Sequence, residues 1–163
     1  MTLTTHAVVG ATVACLIPEH AVLGFSLAFV SHFLLDAIPH WDYELRSKID
    51  DETDPLKGDM IINRDFFIDL ARIGIDVLCG LSLVFFLFTM SGPRIFWIPF
   101  IGVAGALLPD ALQFLYFKWK HQPLMSLQRF HLWVHAFDHF NDKPLIGIPF
   151  QILIILVAIS IAR

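Results

Sequence analysis

Ser31-His32-Phe33-Leu34-Leu35-Asp36-Ala37-Ile38-Pro39-His40-Trp41-Asp42 closes a long apolar run. His32, Asp36 and His40 are spaced four residues apart, which on a helix stacks them on one face. Imidazole and carboxylate groups inside an apolar segment are costly in lipid and usually have a task. They are also the ligands that zinc and similar metals prefer.

The surrounding chain is apolar. Of its 163 residues 56% are hydrophobic and 16% charged, and the mean hydropathy is +0.68. That is too apolar for a soluble domain of this size and indicates a single integral-membrane domain, 1–163. The net charge of −4 offers nothing to a nucleic acid. Cys15 and Cys79 lie in apolar segments and read as packing residues rather than a disulfide. The N-terminus lacks a basic flank and a cleavage site, so the first segment reads as a retained span.

Five apolar segments stand out: 3–17, 21–39, 65–90, 95–117 and 145–162. They predict an all-α, polytopic bundle of five spans. At ~1.5 Å per residue the first is short for a ~30 Å hydrocarbon core, so it is either tilted and covered by neighbours or not a full span. Ser91-Gly92-Pro93 reads as a turn. Pro109 is expected to kink the fourth segment and free the carbonyl of Gly105. The last segment has no ionisable residue and reads as an anchoring span. Residues 41–64 form a polar loop, solvated or acting as a lid. Residues 126–141 predict an amphipathic interfacial helix. Gln128, His131, His135, Asp138, His139 and Asp142 share one arc of it, and Phe130, Trp133, Val134, Phe137 and Phe140 the remainder.

Orientation follows from the basic residues. The loops 41–64 and 118–143 contain Arg46, Lys48, Lys57, Arg64, Lys118, Lys120, Arg129 and Lys143, against Arg94 and Arg163 on the other side. This asymmetry puts the N-terminus and both loops on the cytoplasmic side of the inner membrane. His6, His32, Asp36, His40, Asp69, Asp76, Asp110, His131 and His135 then fall within ~15 Å of one interface. Only His20 lies on the opposite side. Unrelated polar residues would have scattered to both.

These residues have the chemistry of a metal site. His131-x-x-x-His135 lets one helix supply two ligands. Asp110 has no basic neighbour in sequence, so a cation is its expected partner. Asp76 either pairs with Arg72 one turn away or ligates, and Asp69 reads as a salt-bridge partner. The candidate ligands are His6, His32, Asp36, His40, Asp76, Asp110, His131 and His135, with Arg72 and Asp76 as candidate catalytic groups. One zinc needs three or four ligands. The surplus predicts two, bridged by Asp36 or Asp110, as in enzymes that split phosphoesters. Iron and manganese use overlapping ligands.

Three motifs carry a family likeness. Thr5-His6, Ser31-His32-Phe33-Leu34-Leu35-Asp36 and Leu107-Leu108-Pro109-Asp110 resemble those of the bacterial membrane-bound metal-dependent hydrolases, which are loosely similar to zinc-dependent phospholipase C. The resemblance implies that His6, His32, Asp36 and Asp110 are metal-site residues. Where that pattern often has a second acid, this chain has Leu112. A His-Arg-Gly-x-Thr-His-Ser segment has no counterpart here, and the motifs come in a different order.

Together these readings predict an integral-membrane, metal-dependent hydrolase with a cytoplasmic-facing binuclear site. Its expected substrate is an amphiphilic or lipid phosphoester, attacked by a hydroxide on the metal. Two rivals come from other classes. A metal or proton transporter would spread ionisable groups through the membrane, and a non-catalytic subunit would use a coordinatively closed metal as a staple.

Overall fold

The structure, a computed structural model, describes residues 1–51, 53–89, 96–135 and 140–162, with Thr89 described in backbone only. Six α-helices dominate it: α1 (Leu3–Cys15), α2 (Ala21–Asp36), α3 (Arg64–Val84), α4 (Ile98–Lys118), α5 (Leu124–Val134) and α6 (Pro144–Ile161). Phe85–Thr89 continues α3 as a π-helical turn. The all-α expectation holds. The expected turn at Ser91-Gly92-Pro93 lies outside the described residues, as do Arg94, Phe137, Asp138, His139 and Arg163.

Among the described residues, three helices are long and apolar enough to cross a membrane: Arg64–Phe88, Ile98–Lys118 and Pro144–Ile161. The other two expected spans are shorter, at 13 residues for α1 and 16 for α2. The length of α1 makes sense from its surroundings. α1 packs against α2, α3, α4 and α6, and Ala7, Val8 and Ala11 are fully buried. A helix wrapped by other helices need not match the hydrocarbon thickness. Leu145, Ile75, Leu78, Phe86 and Leu156 are more than half exposed on the outer helices. Such a broad apolar exterior suits lipid and not water.

Small residues bring α1 and α4 together. A Cβ built on Gly10 would stand 2.5 Å from Ala106 Cβ and 2.6 Å from the Gly102 carbonyl oxygen, and one on Gly102 would collide with the Gly10 backbone. Close approach through small residues is how helices pack when lipid offers them no hydrophobic drive. Beneath this contact Ala7, Val8, Ala11, Val84, Phe88, Val103 and Ala158 form the apolar core.

The 41–64 segment is more ordered than a plain solvated loop. Lys48–Ile49 pairs antiparallel with Asp59–Met60, and Pro55–Lys57 makes a 3-10 turn capped by Asp54. Met60, Tyr116 and Phe117 form a small core with Leu45, Leu56 and Phe66 against it. Lys118 Nζ reaches Asp59 at 3.1 Å and the Met60 carbonyl. Tyr116 donates to the Leu56 carbonyl at 2.8 Å. A Tyr116→Phe change should cost about 1 kcal/mol of local stability. Limited proteolysis within 41–64 should then run roughly fivefold faster, since cleavage follows the population of the opened segment.

Candidate metal centre

Asp36 ends α2 and is buried, at 2% exposure. Imidazoles approach it from three directions. From its own helix, His32 Nε2 is 2.9 Å from Oδ2. From α1, His6 Nε2 is 3.1 Å from Oδ1. From the α5 end, His131 Nε2 and His135 Nε2 stand 3.3 and 2.9 Å from Oδ2. His40 Nε2 is 3.9 Å from Oδ1. The His32–Asp36 pair is the expected i, i+4 stack. His40 arrives differently: α2 stops at Asp36, so His40 returns through the turn before Pro39 and not on a continued helical face.

Two backbone bonds set the imidazole tautomers. His32 Nδ1 donates to the Ala106 carbonyl at 2.8 Å, and His40 Nδ1 donates to the Ile38 carbonyl at 2.7 Å. A carbonyl only accepts, so Nδ1 carries the proton and the neutral ring turns its Nε2 lone pair toward the cluster. Metal-ligating histidines are oriented in this way. The accepting carbonyl in α4 is that of Ala106, one residue beyond the Gly105 carbonyl that Pro109 deprives of its helical donor. Burial, and then the Met1 ammonium beside it, hold the His40 imidazole down at about 3, so it stays in its ligating form.

His6 bears most directly on whether the cluster fits a cation. It is fully buried, and neither ring nitrogen has a hydrogen-bond partner among the described residues. Its Nε2 is close to Asp36 but off the direction a hydrogen bond needs. A buried, unpaired polar group is costly, and a metal on Nε2 would satisfy that nitrogen of the two. The His32 and His131 Nε2 atoms are 3.4 Å apart. Two nitrogens on one tetrahedral zinc at ~2.1 Å lie about that far from each other. The residues present therefore fit a divalent metal.

Among the described residues there are three sets within each of which the ligand atoms lie no more than 4.8 Å apart: His6 with His32 and Asp36, His32 with Asp110 and His131, and Asp36 with His40 and His135. The second and third sets share no residue, so no ligand belongs to both. Asp36 Oδ2 is equally near His32 and His135, between the two. Asp110 Oδ1 is 3.6 Å from His32 and 3.9 Å from His131. Its side chain is 33% exposed and that of His135 is 25% exposed, so the cluster opens on their side.

Two sequence candidates do not join the cluster. Arg72 extends toward Asp69, with Nη1 3.9 Å from Oδ1, and belongs to none of the three sets. Asp76 is engaged elsewhere. Its carboxylate accepts from the backbone N–H groups of Leu3 and Thr4 at 2.7 and 3.0 Å. A helical stripe identifies the face that Asp76 shares with Asp69; it does not identify the partner across from it. Burial, then the Asp76 carboxylate, push the neighbouring Tyr43 phenol up, so it remains a donor.

Other groups were missed. Gln151 looks inert in the apolar α6, yet its Oε1 accepts from Thr2 N, Thr2 Oγ1 and Thr5 Oγ1, and its Nε2 donates to the Trp41 carbonyl. A lone amide in an 18-residue apolar helix was the available signal. The Met1 ammonium lies 3.2 Å from Asp36 Oδ1, 2.7 Å from His40 Nε2 and 3.5 Å from Asp42 Oδ2. A positive charge thus already stands at this corner. No family model matches the chain, and no curated protein or solved structure matches it either.

Proposed function

We propose that the chain is an integral-membrane, metal-dependent hydrolase with a binuclear His/Asp site, acting on a phosphoester of an amphiphilic or lipid substrate. The observation that carries this reading is the pair of disjoint ligand sets, His32/Asp110/His131 and Asp36/His40/His135, with the Asp36 carboxylate between them. Each set has three protein ligands, and catalytic sites keep a position open where structural ones close it. Zinc is the metal that His and Asp ligands fit best here, and iron or manganese could substitute. Divalent metals in such a site supply Lewis acidity and an acidified water.

The chain's own residues supply the rest. His6, His32 and His131 are buried, and the bond from His32 Nδ1 to the Ala106 carbonyl turns the His32 Nε2 toward the cluster. Asp110 and His135 are the half-buried members and meet the substrate first. Phe130 and Trp133 on α5 are exposed beside His131; in this reading α5 lies in the membrane interface and receives the substrate's apolar part. We place five spans across the inner membrane with the N-terminus and site cytoplasmic, as the basic loops require. A transporter fits less well, because the ionisable cluster gathers at one end of the helices.

The test is metal content by plasma mass spectrometry on detergent-purified protein, followed by a panel of phosphoesters and acyl esters. Two equivalents of zinc and phosphoesterase activity lost to chelator and restored by zinc would support the reading. Protein that holds no metal after purification without chelator and resupply with zinc would overturn it.

A further inference from the structure

Asp76 is a carboxylate of α3 that hydrogen-bonds to the start of α1. Its Oδ2 accepts from Leu3 N–H at 2.7 Å and Tyr43 Oη at 3.3 Å; its Oδ1 accepts from Thr4 N–H at 3.0 Å and Thr4 Oγ1 at 2.6 Å. The first four N–H groups of any helix lack helical acceptors. α1 has no side-chain cap of its own, so two of its first N–H groups end on a carboxylate from another helix. A negative charge at that end also suits the helix dipole.

This matters for the histidines. His6 follows Thr4 by less than one turn, and its ring has no hydrogen bond to steer it among the described residues. Where the ring sits depends on where α1 begins. Tyr43 follows His40 by three residues, on the strap that leaves α2. Asp69, two turns before Asp76 on α3, holds the far end of that strap by accepting from Ser47 N and Oγ, both at 2.8 Å.

We propose that Asp76 is a positioning residue of the metal centre, one carboxylate that sets both the helix start delivering His6 and the strap delivering His40. The inference rests on the metal-centre reading above. It separates Asp76 from the ligands: no metal touches it, and its effect passes through backbone N–H groups and one phenol. Asn in its place keeps the shape but offers one acceptor oxygen and turns an N–H₂ on the remaining donors.

The experiment loads the full-length, detergent-purified chain with cobalt(II). Affinity is read by chelator competition, and geometry by the visible d–d spectrum. Asp76→Asn is expected to weaken cobalt binding roughly tenfold to a hundredfold, the range for groups that orient ligands, and to shift the spectrum. Tyr43→Phe and Thr4→Val should each shift it less in the same direction. Asp69→Asn, which holds only the strap's far end, should leave it near wild type. Wild-type affinity and spectrum in Asp76→Asn would overturn the proposal. So would loss of one whole equivalent with the other's spectrum intact, because that would make Asp76 a ligand. If Asp76→Asn fails to fold, unchanged spectra in both Tyr43→Phe and Thr4→Val overturn it. A wild-type chain that binds neither cobalt nor zinc fails earlier and removes the proposed function as well.

Discussion

Asp36→Ala is expected to empty the site of metal. His6, His32, His131 and His135 all place Nε2 within 3.3 Å of this one carboxylate, and two of the three ligand sets contain it. Without it four imidazoles lose the carboxylate they share, Asp110 remains only beside His32 and His131, and the bridge between the disjoint sets is gone. Both ions should be lost together, which plasma mass spectrometry reads directly. The fold should suffer too. The Met1 ammonium would lose its nearest carboxylate, and removing one partner of a buried charge pair costs about 3–5 kcal/mol. Asp36→Asn keeps the volume and should lose the metal with a smaller drop in melting temperature. Retention of one full equivalent in Asp36→Ala would show that the set formed by His32, Asp110 and His131 stands alone.

The second large effect concerns a residue that offers no ligand atom. Gly102→Leu should separate α1 from α4, because even a Cβ there collides with the Gly10 backbone. Overpacking a close contact costs about 1–3 kcal/mol and sometimes more. Here the cost reaches the site, since α1 carries His6 and α4 carries Asp110 and the carbonyl that orients His32. Thermal unfolding in detergent should show a lower midpoint, and cobalt affinity should fall with it. Gly74→Ala is the matched control. Nothing lies within 4 Å of the Cβ it would add, and alanine is a better helix former by about 1 kcal/mol. That variant should be as stable as wild type or slightly more so.

The residues of the cluster were legible because their spacing is short-range. His32 and Asp36 meet through one helical turn, and His131 and His135 bring their Nε2 atoms to the same Asp36 oxygen although α5 ends at Val134. Asp110 was legible as a carboxylate without a cation. What the sequence could not show are partners across helices. Asp76 and Arg72 occupy plausible positions on a polar stripe, but only the packing of α1 on α3 assigns one to a helix terminus and leaves the other beside Asp69. Gln151 is neutral, so a reading built on ionisable groups passed it by. The pairing of Lys48–Ile49 with Asp59–Met60 is two residues long, below what alternation can reveal.

The shortness of α1 has a consequence for how the chain reaches its final arrangement. At ~1.5 Å per residue, 13 residues give a rod of about 20 Å. Alone in a bilayer it would leave hydrocarbon unmatched and would place the His6 imidazole against lipid. The longer α3, α4 and α6 have neither problem. On the membrane-spanning reading proposed above, the long helices would stand in the bilayer before α1 settles among them.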